Sequence, residues 1–157
     1  MHLADILSPA QIIPEMRATD RWQAIDELVD QLVIAGRIPA DHKQDIAAGV
    51  KKREQSMSTG IGFGVGIPHA VSDLISEVVG VLGRSSGGMN FDALDNQPVR
   101  LVILFLVPQG QFQKHLHTLS NIAKNLHNAD FRRTLATAPD AAAIYKVIES
   151  IKGPRPA

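Results

Sequence analysis

The segment that ends in Ile67-Pro68-His69 differs in pattern from the rest of the chain. Glycine occupies every second position from Gly60 to Gly66, and apolar residues fill the positions between. In an extended chain this spacing predicts one apolar face and one face of bare backbone, which another group can approach closely. Imidazole titrates near neutral pH and can act as a nucleophile. The sequence therefore predicts that His69 carries a transferable group, and we favour a phosphoryl group.

The glycine segment does not fit a nucleotide-binding loop. A Walker loop ends in Gly-Lys-Ser/Thr, which is absent here. The dinucleotide fingerprint needs a third glycine three positions after the second, where this chain has Val65 or Ile67. A glycine-rich edge strand with a histidine of no catalytic role stays open as the alternative.

A second histidine is predicted to face inward. At about 100° per residue, His115 lies in the middle of the apolar stripe of a helix over residues 112–127, and His117 lies on the opposite side. Buried histidines are usually bonded to backbone groups. The functional alternative is a neutral imidazole that donates a hydrogen bond to an anion in a pocket.

Arg53 is the third candidate. It follows Ile46 by nearly two helical turns, so it is predicted to continue the inward-facing line of its helix. A guanidinium group matches phosphate oxygens in bidentate geometry. The alternative is a solvated arginine at a helix end.

Residue spacing gives a metal site no support. Zinc could be bound by His69, His115 and a carboxylate, but His115 and His117 would point apart on a helix. We predict no metal and no other cofactor. A metal-dependent hydrolase that uses His69 and His115 stays a third hypothesis.

Composition restricts the class of protein. The chain has 157 residues with 16 basic and 16 acidic side chains, so it generates no broad positive field for nucleic acid or membrane surfaces. The absence of cysteine excludes disulfides and thiolate chemistry. The chain start lacks the pattern of a signal peptide, and the apolar run at residues 101–107 is far shorter than the roughly 20 residues of a spanning helix. We expect a cytoplasmic protein without membrane insertion.

The elements that must position these residues alternate between helix and strand. Residues 99–107 are almost continuously apolar between Pro98 and Pro108, which is typical of a strand covered on both faces. This pattern predicts a single α/β domain over residues 1–152, with a central sheet flanked by helices on both sides, and a disordered tail at 153–157. Helices are predicted at 19–35, 40–55, 112–127, 129–136 and 140–151, and a further strand at 78–83.

Four segments resemble the enzyme IIA proteins of the bacterial phosphoenolpyruvate-dependent phosphotransferase system, in the fructose/mannitol superfamily. They are residues 53–62, 67–69, 91–99 and 115–120, and the chain looks closest to the nitrogen-regulatory branch. Phe63 stands where these proteins commonly have asparagine, which removes a polar side chain near the site. Ala70 is more like the fructose branch.

The resemblance implies a mixed β-sheet and a role for each candidate residue. His69 would accept the phosphoryl group, His115 would donate a hydrogen bond to it, and Arg53 would stabilise its charge. The donor would be a phosphohistidine carrier protein, and the partners downstream would be regulatory targets or an enzyme IIB. Two alternatives stay open: a standalone fructose-type sugar-transport enzyme IIA, and a regulatory binding module without phosphotransfer.

Overall fold

Helices and strands alternate along residues 2–151, which are the residues that the computed structural model describes. The predicted tail at 153–157 lies outside them. The helices are α1 (Leu3–Ile6), α2 (Arg21–Ile34), α3 (Lys43–Ser56), α4 (Phe112–Leu126), α5 (Ala129–Thr137) and α6 (Ala141–Ser150). The strands are β1 (Ile12–Ile13), β2 (Gly60–Gly62), β3 (Val65–Gly66), β4 (His69–Ser72), β5 (Val79–Met89) and β6 (Val99–Pro108). No helix within residues 2–151 has both the length and the apolar character needed to cross a membrane.

The helix boundaries follow capping signals in the sequence. Asp20 accepts a hydrogen bond from the amide of Gln23 at the start of α2, and Asp140 caps α6 in the same way. Gly36 follows α2 with φ +72°, the left-handed conformation that ends many helices. The predicted helices are therefore present, with ends displaced by one or two residues or, for α3, preceded by the 3₁₀ turn Ala40–His42.

One mixed sheet contains all six of these strands. The order is β1-β5-β6-β3-β2, and β4 pairs with the far end of β6 beyond β3. The strands β5 and β6 are antiparallel, whereas β1 runs parallel to β5, and β3 and β4 run parallel to β6. The predicted mixed sheet is confirmed.

Strand β6 separates two hydrophobic cores. Its alternate side chains point to opposite faces, so Phe105 packs on one side and Leu104 on the other. The first core is completed by α1, α4, α5 and α6, and the second by α2 and α3. This arrangement confirms that β6 is covered on both faces and that helices flank the sheet on both sides.

The glycine segment is a hairpin, so the prediction of one continuous extended run is wrong. The strands β2 and β3 pair antiparallel, and the chain turns between them at Phe63 (φ +59°) and Gly64 (φ +77°). Alternation of side chains is therefore lost: Val65 and Ile67 are buried, whereas Phe63 is 60% exposed.

The bare backbone of the hairpin is approached by the protein's own loop. A Cβ atom added at Gly60 would lie 2.7 Å from Cβ of Ala93, and one added at Gly66 would lie 2.9 Å from Cε1 of Phe91. These distances are too short for real side chains. The glycines at 60 and 66 thus allow the loop that follows β5 to pack against the hairpin.

Candidate functional site

His69 is the first residue of β4, directly opposite Phe105 of β6. Its Nδ1 atom lies 2.8 Å from the carbonyl oxygen of Ile67. A carbonyl can only accept a hydrogen bond, so Nδ1 carries the proton and Nε2 keeps a free lone pair. The backbone thus orients the ring and leaves the lone pair of Nε2 available.

Partial burial favours the neutral form of this imidazole. Removal of the ring from water lowers the pKa of His69 below its usual 6.5, and the positive charge of Arg53 lowers it further. The Ile67 carbonyl and Glu54 act in the opposite direction but do not cancel the effect. At neutral pH the ring is therefore uncharged, which is the form that can attack an electrophile.

An open cavity of about 560 Å³ borders His69. Arg53 and Lys52 of α3 contribute positive charge to its lining, and Phe112 of α4 contributes an aromatic ring. The rings of His69 and Phe112 are nearly parallel, at 13°, with centroids 6.5 Å apart. The structure thus places a neutral imidazole beside two cations in a cleft that is open to solvent.

Arg53 does not continue the inward line of its helix as predicted. It is exposed, and the neighbouring Glu54 is the residue of this turn that is buried, with 1% exposure. The last turn of α3 extends past the apolar core formed by Ile46 and Val50, so its inward position meets polar groups. Arg53 nevertheless lines the same cavity as His69.

Glu54 is a functional candidate that the sequence reasoning missed. Its carboxylate accepts hydrogen bonds from the amide of Thr59 (2.8 Å) and the hydroxyl of Thr59 (2.6 Å), and it pairs with Arg21 Nη1 at 3.2 Å. The signal was a carboxylate four residues after Val50, which places both on one helix face. These contacts fix the end of α3, which carries Arg53, to the start of the hairpin.

A short backbone connection extends this anchor to His69. The amide of Ile67 donates to the carbonyl of Thr59 at 3.0 Å, and the carbonyl of Ile67 accepts from His69 Nδ1. Glu54 therefore holds Thr59, Thr59 holds Ile67, and Ile67 orients the imidazole. We assign Glu54 and Thr59 as positioning residues for the cavity.

His115 is buried and is not among the residues that line the His69 cavity. It is 6% exposed, and its ring meets the ring of Phe105 edge-on with centroids 6.5 Å apart. Phe105 is the strand partner of His69, and Phe112 lies one helical turn before His115 on α4. Phe105 thus connects the two histidines, since it pairs with His69 along the strands and contacts the ring of His115, and no ring contact joins His69 to His115 within residues 2–151.

Neither ring nitrogen of His115 has a hydrogen-bond partner in the part of the chain that the structure describes. Burial lowers the pKa of His115, with a smaller contribution from Lys114 in the same direction, so this ring is also neutral at pH 7. A neutral imidazole retains one N–H that can donate. His117, in contrast, is exposed on the other side of α4, as predicted.

Phe63 does not line the His69 cavity. Its ring contacts His127, with centroids 5.4 Å apart, and the guanidinium of Arg132 at 4.8 Å. It borders a different cavity next to α5.

Within residues 2–151 there is also no group of three or more His, Cys, Asp or Glu side chains placed to hold a metal ion.

The family comparison matches almost the whole described chain. Residues 5–151 match the model of the family described as phosphoenolpyruvate-dependent sugar phosphotransferase system, EIIA 2. A nitrogen regulatory protein from Klebsiella oxytoca is 40% identical over 149 residues, which cover 94% of this chain and 90% of the relative. A fructose-specific EIIA component from Haloferax volcanii is 33% identical over 154 residues, which cover 96% and 99%.

A solved structure supports the same relationship. The crystal structure of the nitrogen regulatory protein IIA-Ntr from Neisseria meningitidis superimposes with a TM-score of 0.84 at 27% sequence identity. The match covers 93% of this chain and 98% of that one. Fold and sequence therefore agree on one family, with relatives of both the nitrogen regulatory and the fructose-specific kind.

Proposed function

Because this chain belongs to the EIIA 2 family of the phosphoenolpyruvate-dependent sugar phosphotransferase system, we propose that it accepts a phosphoryl group on Nε2 of His69 and regulates partners through its phosphorylation state. The observation that carries the proposal is the hydrogen bond from Nδ1 of His69 to Ile67, in a ring that shares its cavity with Arg53. It leaves one nitrogen free to react. Arg53, which lines the same cavity, would provide a cation for the charge of the phosphoryl group.

The transfer step needs no cofactor. A phosphohistidine on a carrier protein presents its phosphorus to the lone pair of Nε2 of His69. The new N–P bond forms as the N–P bond of the carrier breaks. The carrier nitrogen keeps the electron pair of the broken bond. The proton on Nδ1 stays in place and remains hydrogen-bonded to the carbonyl oxygen of Ile67. In such a reaction, positioning and charge stabilisation supply most of the catalysis.

Three groups would stabilise the transferred phosphoryl group. Arg53 would offset the charge on its oxygens, and the N–H of His115, which the family resemblance assigns to the site although it does not line the cavity here, would donate to one of them. The start of α4 adds a third contribution, because Gln111 forms no side-chain cap there and the Phe112 ring stacks on His69. Uncapped N–H groups at a helix start favour anions.

The face around the cavity suits a protein donor better than a small molecule. Val71 and Phe112 line the open cleft with 45% and 36% of their surface exposed, and Leu116, one turn after Phe112 on α4, exposes 45%. Exposed apolar side chains next to basic ones are typical of a surface that receives another protein. A phosphocarrier protein would dock here to bring its histidine to His69.

A regulatory role follows from the charge that the modification adds. Phosphorylation contributes roughly −1.5 to −2 charges at neutral pH. In an open cavity lined by Arg53 and Lys52 this change cancels most or all of the local positive charge that a partner meets. The similarity to the Klebsiella oxytoca nitrogen regulatory protein supports this role, whereas the similarity to the fructose-specific component supports the alternative, transfer of the phosphoryl group to an enzyme IIB.

The test is phosphorylation in a reconstituted system. The protein is incubated with phosphoenolpyruvate, the general phosphotransfer enzyme and the phosphocarrier protein, and the product is analysed by mass spectrometry and phosphorus NMR. We expect one acid-labile phosphoryl group on Nε2, absent in His69→Ala and retained in the matched control His117→Ala. Label on Nδ1, on another residue, or nowhere would contradict the proposal.

A second measurement separates the candidate roles. The phosphorylated protein is mixed with an enzyme IIB of the fructose type, and partner proteins are compared for binding to both phosphorylation states. Fast loss of label to the enzyme IIB would favour transport. Retention of label with a partner that distinguishes the two states would favour regulation, and a complex unaffected by both phosphorylation and His69→Glu would favour a binding module.

A further inference from the structure

A second cavity lies away from His69, between α5 and the far half of the sheet. Its volume is about 490 Å³, within the range of small-molecule sites. It is bordered by β5 near Arg84, β6 near Arg100, the hairpin turn at Phe63 and one side of α5 along most of its length. Arg100 lies five positions before Phe105, the partner of His69, along β6, which corresponds to roughly 17 Å.

The lining of this cavity is strongly basic in a chain that is neutral as a whole. It contains four arginines (Arg84, Arg100, Arg132 and Arg133) and one glutamate (Glu15), so its net charge is +3. Glu15 is already engaged by the amide and the hydroxyl of Ser86. A neutral chain that gathers this much positive charge around one concave surface provides a specific attraction for anions.

Backbone carbonyls, not carboxylates, hold three of these guanidinium groups. Arg84 donates to Pro14 (2.9 Å), Leu135 (2.8 Å) and Ala138 (2.6 Å), and Arg132 donates to Leu126 (2.8 Å). Arg100 donates to the carbonyl of Ser86. A carbonyl fixes the position of a guanidinium but does not neutralise its charge.

Part of each of these three guanidinium groups stays available. The described residues provide no acceptor for Nη2 of Arg84, Arg100 or Arg132, and none of the three forms a direct ion pair there, although Glu15 lies close enough to Arg84 for an electrostatic interaction. Arg133, in contrast, pairs with Asp130. Ser85, a largely buried residue, adds its hydroxyl to the lining. The cavity therefore offers anchored donors in several directions.

Phe63 is unusual at the edge of this cavity. It holds φ +59°, a conformation that costs a residue with a side chain about 1–2 kcal/mol, and it exposes 60% of its surface. Its ring is held against Arg132 and His127. The strained turn thus places an aromatic wall beside the available guanidinium groups.

We propose that this cavity binds a small phosphorylated molecule, as a ligand site separate from His69. Guanidinium groups on β5, β6 and α5 would each contact a phosphate oxygen, because the planar N–H fork matches that geometry. The apolar part of the lining, which includes Leu101 and Leu135, would contact the organic part of the ligand. Two or more negative charges on the ligand would match the net charge of the lining.

The test uses amide NMR of the isotope-labelled full chain with inorganic pyrophosphate as the probe and inorganic phosphate for comparison, at constant ionic strength. We expect saturable shifts of the amides of Gly64, Ser85, Ser86 and Ala129, with pyrophosphate the tighter ligand. Arg100→Gln and Arg132→Gln should each weaken binding by about tenfold, since hydrogen bonds to charged groups contribute about 1.5–3 kcal/mol.

Arg37→Gln is the matched control, because Arg37 is a half-exposed arginine outside the cavity and should leave the affinity unchanged. Shifts that do not saturate, that are confined to residues around His69 and Arg53, or that persist unchanged in Arg100→Gln would overturn the proposal. Arg132→Gln removes a contact to α4 and could disturb folding. Because Arg100 is exposed, Arg100→Gln should fold normally, and its affinity for pyrophosphate then decides whether the cavity is the binding site.

Discussion

Glu54 accepts hydrogen bonds from both the amide and the hydroxyl of Thr59, across the junction between α3 and the hairpin. The carboxylate is almost completely buried and has Arg21 as its cationic partner. The residue before Glu54 is the arginine of the His69 cavity. The contact therefore links the stability of the fold to the geometry of the site.

Glu54→Gln should lower the free energy of unfolding by about 3 kcal/mol, because it removes the buried carboxylate and leaves the guanidinium of Arg21 with only the more exposed Asp92 as an ion-pair partner. Urea denaturation measures this change. The matched control Glu77→Gln removes the exposed contact to Arg37 and should cost less than about 0.5 kcal/mol. Equal losses in the two variants would show that the Glu54 contacts contribute little.

Gly60→Ala should destabilise the protein by about 1–3 kcal/mol, the usual cost of overpacking, because the new Cβ would overlap Ala93. Gly49→Ala should change the free energy of unfolding in the opposite direction by about 0.5–1 kcal/mol. Gly49 lies inside α3, and a Cβ there meets nothing within 4 Å. Thermal or urea unfolding of both variants tests the prediction, and a tolerated alanine at position 60 would contradict it.

Proton NMR titration should give a pKa for His69 below 6.5, because the ring is partly buried and Arg53 is nearby. In Arg53→Gln the pKa should rise toward the usual value, since one cause of the depression is removed. The control Arg37→Gln should leave the titration unchanged. The rate of phosphorylation should fall at acidic pH together with the neutral fraction of His69. An unchanged pKa of His69 in Arg53→Gln would show that Arg53 does not act on the imidazole.

Stability should also depend on this titration. The pKa of His69 is lower in the folded state than in the unfolded state, so on acidification the unfolded chain binds a proton first. The free energy of unfolding should therefore decrease as the pH falls through about 6.5, and level off once the folded pKa has been passed. His69→Gln should lose this contribution, which denaturation at a series of pH values would show as a flatter slope between pH 7 and 5.

His115→Leu should raise the free energy of unfolding by about 1 kcal/mol, because a buried imidazole without a hydrogen-bond partner is replaced by an apolar side chain. The same variant should accept the phosphoryl group more slowly. His117→Leu, at an exposed position of the same helix, should change neither quantity by much. A stabilised variant with an unchanged rate would show that His115 is only a core residue.

Hydrophobic periodicity was sufficient to predict most of the fold. The apolar stripe of α4 identified both the buried His115 and the exposed His117, and the run between Pro98 and Pro108 identified the doubly covered strand β6. Local patterns succeeded there because burial repeats with the period of the element. The placement of His69 beside Arg53 came from recognition of the family's sequence motifs.

Where prediction failed, the deciding contacts were nonlocal. Alternation from Gly60 to Gly66 looked like one strand because a turn through Phe63 needs a positive φ that aromatic residues rarely adopt. The arginines of the second cavity lie on separate elements and come together only through strand pairing and the packing of α5. Glu54 was missed because its partners Thr59 and Arg21 could not be assigned without the hairpin geometry.

The two crowded glycines of the hairpin have unequal evolutionary freedom. At Gly66 the obstacle is the far end of the Phe91 ring, so a smaller residue at position 91 makes room for a side chain at position 66. Paired substitutions at these two positions can therefore be tolerated during evolution. At Gly60 the obstacle includes Cα of Ala93, 2.8 Å from the added carbon, which no exchange of side chain removes. No substitution at position 93 would therefore make room for a side chain at position 60, and only a different path of the main chain would do so.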